Sequence, residues 1–146
     1  TYPKLIQNIK DKNIYRELKV SFLKKLIITC VILILGSYFI APYVFRFLEK
    51  PSFIDFIDTY NILLIAVFFL VLSNVFHYDL YAKKKDKLLL KIAIFGMCLN
   101  VIFNFILIPK LEIFGASIAT LSSFLVIFLA KLYFSTKNTN PVDDTI

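Results

Sequence analysis

Long apolar runs alternate with short charged ones along this chain, and the runs are too long and too continuous for buried strands. Four stretches contain no Asp, Glu, Lys, Arg or His: residues 26–45, 59–76, 92–109 and 113–130, the first of 20 residues and the others of 18. At about 1.5 Å per residue these make helices roughly 27–30 Å long, the hydrocarbon thickness of a bilayer. In lipid every backbone N–H and C=O must be satisfied inside the protein, which leaves helices and closed barrels. The runs lack the two-residue alternation of a barrel strand. The pattern therefore predicts an all-α membrane protein with four transmembrane helices, over about 26–48, 59–80, 91–109 and 113–134.

The flanks read differently. Leu5, Ile6 and Ile9 share one helical face, Asp11 to Asn13 interrupts the pattern, and Ile14, Leu18, Phe22 and Leu26 then recur every four residues. This predicts an amphipathic helix, a turn, and a second helix running into the first span, with lysines on the opposite face suited to the cytoplasmic interface. Residues 135–146 are polar, contain Pro141 and end in Asp143, Asp144, Thr145 and Ile146, the composition of a disordered tail. The organisation expected is a cytoplasmic amphipathic segment (1–25), a four-helix membrane region (26–134) and a cytoplasmic tail (135–146). Thr1 stands where an initiator Met would, and no signal-peptide pattern follows it, so the chain reads as a piece of a longer one.

Composition agrees with lipid as the solvent. The chain is 59% hydrophobic and 18% charged, with a mean hydropathy of +0.77; soluble domains average about 45–50% apolar and about 25% charged. The formal charge of +7 would raise nucleic acid as a partner, but the charges lie between apolar runs, where they set orientation instead. Basic residues number seven before the first span, two after it (Arg46, Lys50), five between spans two and three (Lys83, Lys84, Lys85, Lys87, Lys91), one in the third connection (Lys110) and two in the tail (Lys131, Lys137). One side thus holds fourteen and the other three. By the positive-inside rule both ends of the segment are expected to be cytoplasmic in the cytoplasmic membrane, and the lysine run is topological, with contact to anionic lipid or phosphate as a second reading. Cys30 and Cys98 sit in apolar runs without metal-ligand or disulfide spacing, and no catalytic or nucleotide-binding motif is present. Neither an enzyme nor a cofactor is expected.

Several residues inside the spans invite a role. Pro42 lacks the N–H that would bond back to Tyr38, so the first helix is expected to kink or end there, as a hinge or as an ordinary break. Asn100 and Asn104 lie one turn apart in an apolar helix; the two readings are glue between helices and lining of a cavity. Gly115, Ala119 and Ser123 place small residues in steps of four, a close-packing face whose expected partner is the third span. His77 and Asp79, near the end of the second span, are ion-coupling candidates, against the simpler reading of interfacial groups meeting water.

At residues 100–120 the string NVIFNFILIPKLEIFGASIAT resembles the C-terminal part of polysaccharide flippases, in the superfamily that also holds the multidrug and toxic-compound extrusion (MATE) transporters and the lipid II flippases. The family pattern has an Asn-rich helix ending in Ile-Pro-Lys, a short turn, then Gly-Ala and Ala-Thr opening the last helix. Asn100, Asn104, Ile108, Pro109, Lys110, Gly115, Ala116, Ala119 and Thr120 match it. Tyr2 to Leu5, Ala41-Pro42 and Tyr81-Ala82 with its lysines resemble three further family stretches, so the likeness covers about residues 2–134. Glu112, Lys84 and the pair Glu49 and Lys50 stand where the family usually or often has Gly.

The resemblance implies spans nine to twelve of a twelve-helix transporter, part of a MATE-like second lobe. Its cargo would be a polyprenyl-diphosphate-linked oligosaccharide moved outward by alternating access, with membrane lipids and the remaining helices as partners and no nucleic acid. An anionic diphosphate calls for Arg or Lys in the cavity. With no basic residue near the middle of these spans, the charges are expected in other helices, or else Arg46, Lys91 and Lys110 reach inward. An exporter of toxic cations would instead need a carboxylate deep in a helix, whereas Glu49, Asp58 and Asp79 lie near ends. A non-transporting four-helix scaffold is the third possibility.

Overall fold

The computed structural model describes residues 12–47 and 56–137, which form three helices and no strand: α1 (Lys12–Phe47), α2 (Ile57–Ala82) and α3 (Asp86–Lys137). All three are long and apolar enough to cross a membrane. The amphipathic stretch through Ile9, the positions Glu49 and Lys50, and residues 138–146 lie outside the described residues.

α1 is 36 residues long, about 54 Å at the helical rise, so it exceeds a bilayer core by several turns. It begins at Lys12 and runs unbroken into the apolar stretch, so Asn13 is helical where a turn was expected; nothing from Ile14 to Leu26 interrupts the four-residue stripe. Phe22, on that stripe, meets the Tyr78 ring at 6.0 Å. Pro42 neither ends α1 nor stops it short: the helix continues through five more residues to Phe47, because one missing N–H leaves the rest of the ladder intact. Cys30 and Ala41 are buried, and Phe45 meets Tyr60 of α2 at 6.1 Å.

α2 passes into α3 through a three-residue turn. The Lys84 N–H bonds to the Tyr81 carbonyl (2.9 Å) and the Lys85 N–H to the Leu80 carbonyl (3.1 Å), the paired bonds of a Schellman cap, in which the residue after the C-cap takes a left-handed conformation. Lys84 does so, with φ 56°. The Lys85 carbonyl then accepts from Leu88 and Leu89, both at 3.1 Å, and Asp86 in the first turn of α3 opposes the positive helix end.

α3 spans 52 residues but is not straight. Glu112 leaves the helical region with φ 50° and ψ −128°, close to the first central position of a type II′ turn, where Gly dominates. The chain doubles back there, three residues after Pro109. A Cβ on Gly115 would collide with the Leu107 carbonyl, and one on Gly96 would collide with the Ile127 side chain, so the limb after Glu112 lies antiparallel against the limb before it. Gly115 is needed for that close approach.

α2 packs extensively on α3 and α1 more sparsely on α2. The buried positions are mostly small: Ala66, Ser73, Ser117, Ala119 and Ser123, with Val75 and Leu80 the largest apolar ones below 2–3% exposure. Elsewhere large apolar side chains face outward, Phe47 at 87% and Phe105 at 79%, far more exposed apolar surface than a chain in water carries. The last limb of α3 continues to Lys137, so residues 135–137, expected as tail, are helical; Ser135 is 2% exposed and held by polar partners.

Two kinds of backbone test follow. Glu112→Gly and Lys84→Gly should each stabilise the protein by about 1 kcal/mol by relieving a left-handed conformation, read as a higher unfolding temperature in detergent. Gly115→Ala should cost about 1–3 kcal/mol because backbone has to move, whereas Gly36→Ala, with open space around it, should be neutral or slightly stabilising.

Candidate functional site

The polar site grows out of one stripe. On the returning limb of α3, Gly115, Ala119, Ser123, Ile127, Lys131 and Ser135 follow one another in steps of four and so share a face. At the turn end the stripe is small and its hydroxyls are satisfied locally: Ser123 donates to the Ala119 carbonyl at 2.8 Å. Neighbouring Ser117 and Thr120 likewise donate to Phe114 and Ala116. These hydroxyls serve packing, with Gly115, Ala119 and Ser123 all buried. Past Ile127, which fills the space over Gly96, the stripe becomes charged.

At that far end Asp79 of α2, 2% exposed, gathers three helices on one carboxylate oxygen. Its Oδ2 lies 3.1 Å from Lys19 Nζ of α1 and 3.0 Å from Lys83 Nζ, one turn along, and it accepts a short hydrogen bond from Ser135 Oγ of α3. Lys19 also donates to Ser135 Oγ at 2.9 Å, and Lys83 to the Ser135 carbonyl at 3.1 Å. The Lys19 ammonium sits 5.4 Å from the centre of the Phe76 ring. Two ammonium groups thus share one carboxylate, in a setting where each charge depends on the others for solvation.

Lys131 lies deeper. It is 8% exposed, and its Nζ reaches Ser73 Oγ at 3.4 Å, whose own proton goes to the Leu70 carbonyl at 2.8 Å. Among the described residues no carboxylate pairs with it. Ser73 precedes Asp79 by six residues, about 9 Å along the helix, so the cations form two levels.

Lys131 also lines a groove of about 410 Å³ between α2 and the two limbs of α3. Its walls are largely apolar, with Leu70, Leu89, Phe124 and Ile127 among them, and its polar groups are Lys131 and His77 towards one end and Asn100 with Ser123 towards the other. A cation at one end of an apolar slot, with an amide further along, can hold an anionic head group and a polar body while the walls exclude water.

The sequence candidates divide accordingly. Asn100 and His77 line the groove together with Ser123. Asn104 donates to Asn100 Oδ1 at 3.0 Å, so the two amides serve each other; among the described residues neither bonds to another helix. Asp79 is the centre of the clamp and stands apart from His77. Arg46, Lys91 and Lys110 lie on exposed surface and do not line the groove; Pro109 is exposed beside the fold-back and Pro42 lies within α1. Lys19, Lys83, Lys131, Ser73 and Ser135 were missed. Extending the four-residue step beyond Ser123 leads to Lys131 and Ser135, and Asp79 with Lys83 is an i, i+4 pair.

The chain is 29% identical over 116 residues to the uncharacterized membrane protein MJ1068 of Methanocaldococcus jannaschii; the match covers 80% of this chain and 23% of that protein. The chain therefore spans about a quarter of the relative's length. No family model matches it, and no solved structure does.

The two levels of charge should respond oppositely to removal. Asp79→Leu leaves Lys19 and Lys83 without their shared counter-ion and should cost about 3–5 kcal/mol. Lys131→Met removes a buried charge that has no ionic partner among the described residues while keeping the bulk of the side chain, and should leave the unfolding temperature unchanged or higher. Thermal unfolding of both variants in detergent checks the contrast.

Proposed function

We propose that this chain is the C-terminal part of the second lobe of a transporter that flips a polyprenyl-diphosphate-linked oligosaccharide across the cytoplasmic membrane, for cell-surface polysaccharide synthesis. The observation that carries the reading is Lys131, a buried ammonium lining an apolar groove without a carboxylate of its own among the described residues. A charge held in such surroundings is expensive unless function keeps it there, and its natural complement is an anion. In this reading the diphosphate meets Lys131, sugar hydroxyls meet Asn100, and the hydrocarbon tail lies along the apolar exterior.

The architecture supports the same reading. Lys84 and Glu112, two of the positions where the flippase pattern has Gly, are the two non-glycine residues with positive φ among those described; backbone shape matches the pattern where the side chains depart from it. With α3 counted as two crossings joined at Glu112, four spans run in and out with both ends cytoplasmic, and the Lys19, Lys83 and Lys131 end faces the cytoplasm, where the cargo is made. Alternating access would come from this lobe rocking against other helices of the longer protein. Export of a cation fits less well, because no carboxylate among the described residues lines the groove and Asp79 already serves two lysines.

The test is complementation by the full-length protein in a strain lacking its own translocase. Lys131→Met, and separately Asn100→Leu with Asn104→Leu, should reduce surface polysaccharide at least about tenfold at normal expression, while Lys131→Arg retains part of it. Full display with Lys131→Met would remove the cargo assignment.

A further inference from the structure

Resting on that reading, we propose that Asp79 is a resident stand-in for the cargo's anion: an entering diphosphate takes Lys19 away from it, and this exchange unlatches α1 from α3. The first observation is topological. α1 packs on α2, and no close backbone approach links it to α3. Among the described residues, the bond from Lys19 Nζ to Ser135 Oγ, together with the Asp79 oxygen both of them touch, ties the end of α1 to α3.

The second is charge. Among the described residues, two ammonium groups share one carboxylate at the outer level and none pairs with Lys131 at the inner level, so the three lysines exceed that carboxylate by two positive charges. A diphosphate brings at least that much negative charge and more acceptor oxygens than a carboxylate. It is therefore the better partner for ammonium groups that share a single carboxylate.

The third is asymmetry between the two lysines. Lys83 is on the same helix as Asp79 and its side chain is 8% exposed, whereas Lys19 is on another helix with its side chain 25% exposed. Lys83 therefore keeps Asp79 neutralised after Lys19 leaves. Lys19, on a flexible four-carbon stem beside the Phe76 ring, can reorient to a phosphate without backbone movement. Once it does, α1 loses its tie to Ser135 while keeping its contacts along α2. The clamp thus couples the arrival of an anion to freedom of one helix, with no covalent step.

Spin labels at Ser21 of α1 and Thr136 of α3, both exposed, read the distance across the latch in the full-length protein in nanodiscs of zwitterionic lipid. Inorganic pyrophosphate should add a longer-distance population to the unmodified protein. Asp79→Asn should show that population without pyrophosphate and bind pyrophosphate on the order of tenfold more tightly. Lys19→Gln should show it without pyrophosphate and respond no further when pyrophosphate is added, which keeps the test decisive if Asp79→Asn fails to fold. Nanodiscs containing a polyprenyl diphosphate should reproduce the shift, and nanodiscs containing phosphatidylglycerol alone should not. The latch is overturned if pyrophosphate does not bind, if it binds without changing the distance, if Lys19→Gln behaves like the unmodified protein, or if phosphatidylglycerol alone opens it. A distance that responds to pyrophosphate in a protein that fails complementation would sink the flippase reading and leave the latch standing.

Discussion

A single carboxylate oxygen holds the charged end of this protein together. Asp79 Oδ2 takes two ammonium groups and a hydroxyl from three helices, and it does so almost out of contact with solvent. Burying that many charges is costly. The arrangement stands because each ammonium group has a second acceptor in Ser135, whose hydroxyl and carbonyl receive Lys19 and Lys83. The apolar helices supply a bundle, but small residues and sparse contacts between α1 and α2 give it little depth of its own. The polar clamp decides how the ends of the three helices meet.

The groove follows from the same stripe. Small residues at Gly115, Ala119 and Ser123 bring the two limbs of α3 close, and Gly96 admits Ile127. One turn later the stripe offers Lys131, and the backbone spacing set by the small residues leaves a slot which that lysine lines with Asn100 and His77. Packing and charge are thus two stretches of one helix face. The turn at Glu112, taken with a side chain where Gly would be easier, has to hold its shape for the two limbs to stay in register.

Much of this was legible in the sequence, and what was not has a common cause. The apolar runs located the helices, and the turn at Glu112 falls between the stretches 92–109 and 113–130. The charged residues were harder. Counting Lys131 with the basic residues of the tail, and ending the membrane region at 134, hid its role and left Ser135 in the tail, while Lys19 fell on an interfacial helix, because a lone lysine beside an apolar run is usually solvated. The pattern along one helix does not reveal that Lys19, Asp79 and Ser135, far apart in sequence, converge. Asn100 and Asn104 were expected to face other helices or a cavity, and a one-turn spacing lets them bond to each other. Pro42 was expected to kink or end the first helix, and α1 continues past it to Phe47.

In the proposed topology the bundle crosses the bilayer with its lysine-rich end on the cytoplasmic side and the fold-back of α3 on the other. The most direct test is thiol labelling of single cysteines placed at Lys84 and at Glu112 in the full-length protein, in a background with Cys30 and Cys98 replaced. In intact cells a membrane-impermeant reagent should label the cysteine at 112 and spare the one at 84 until the membrane is permeabilised. Labelling of both from outside, or of 84 alone, would contradict the account.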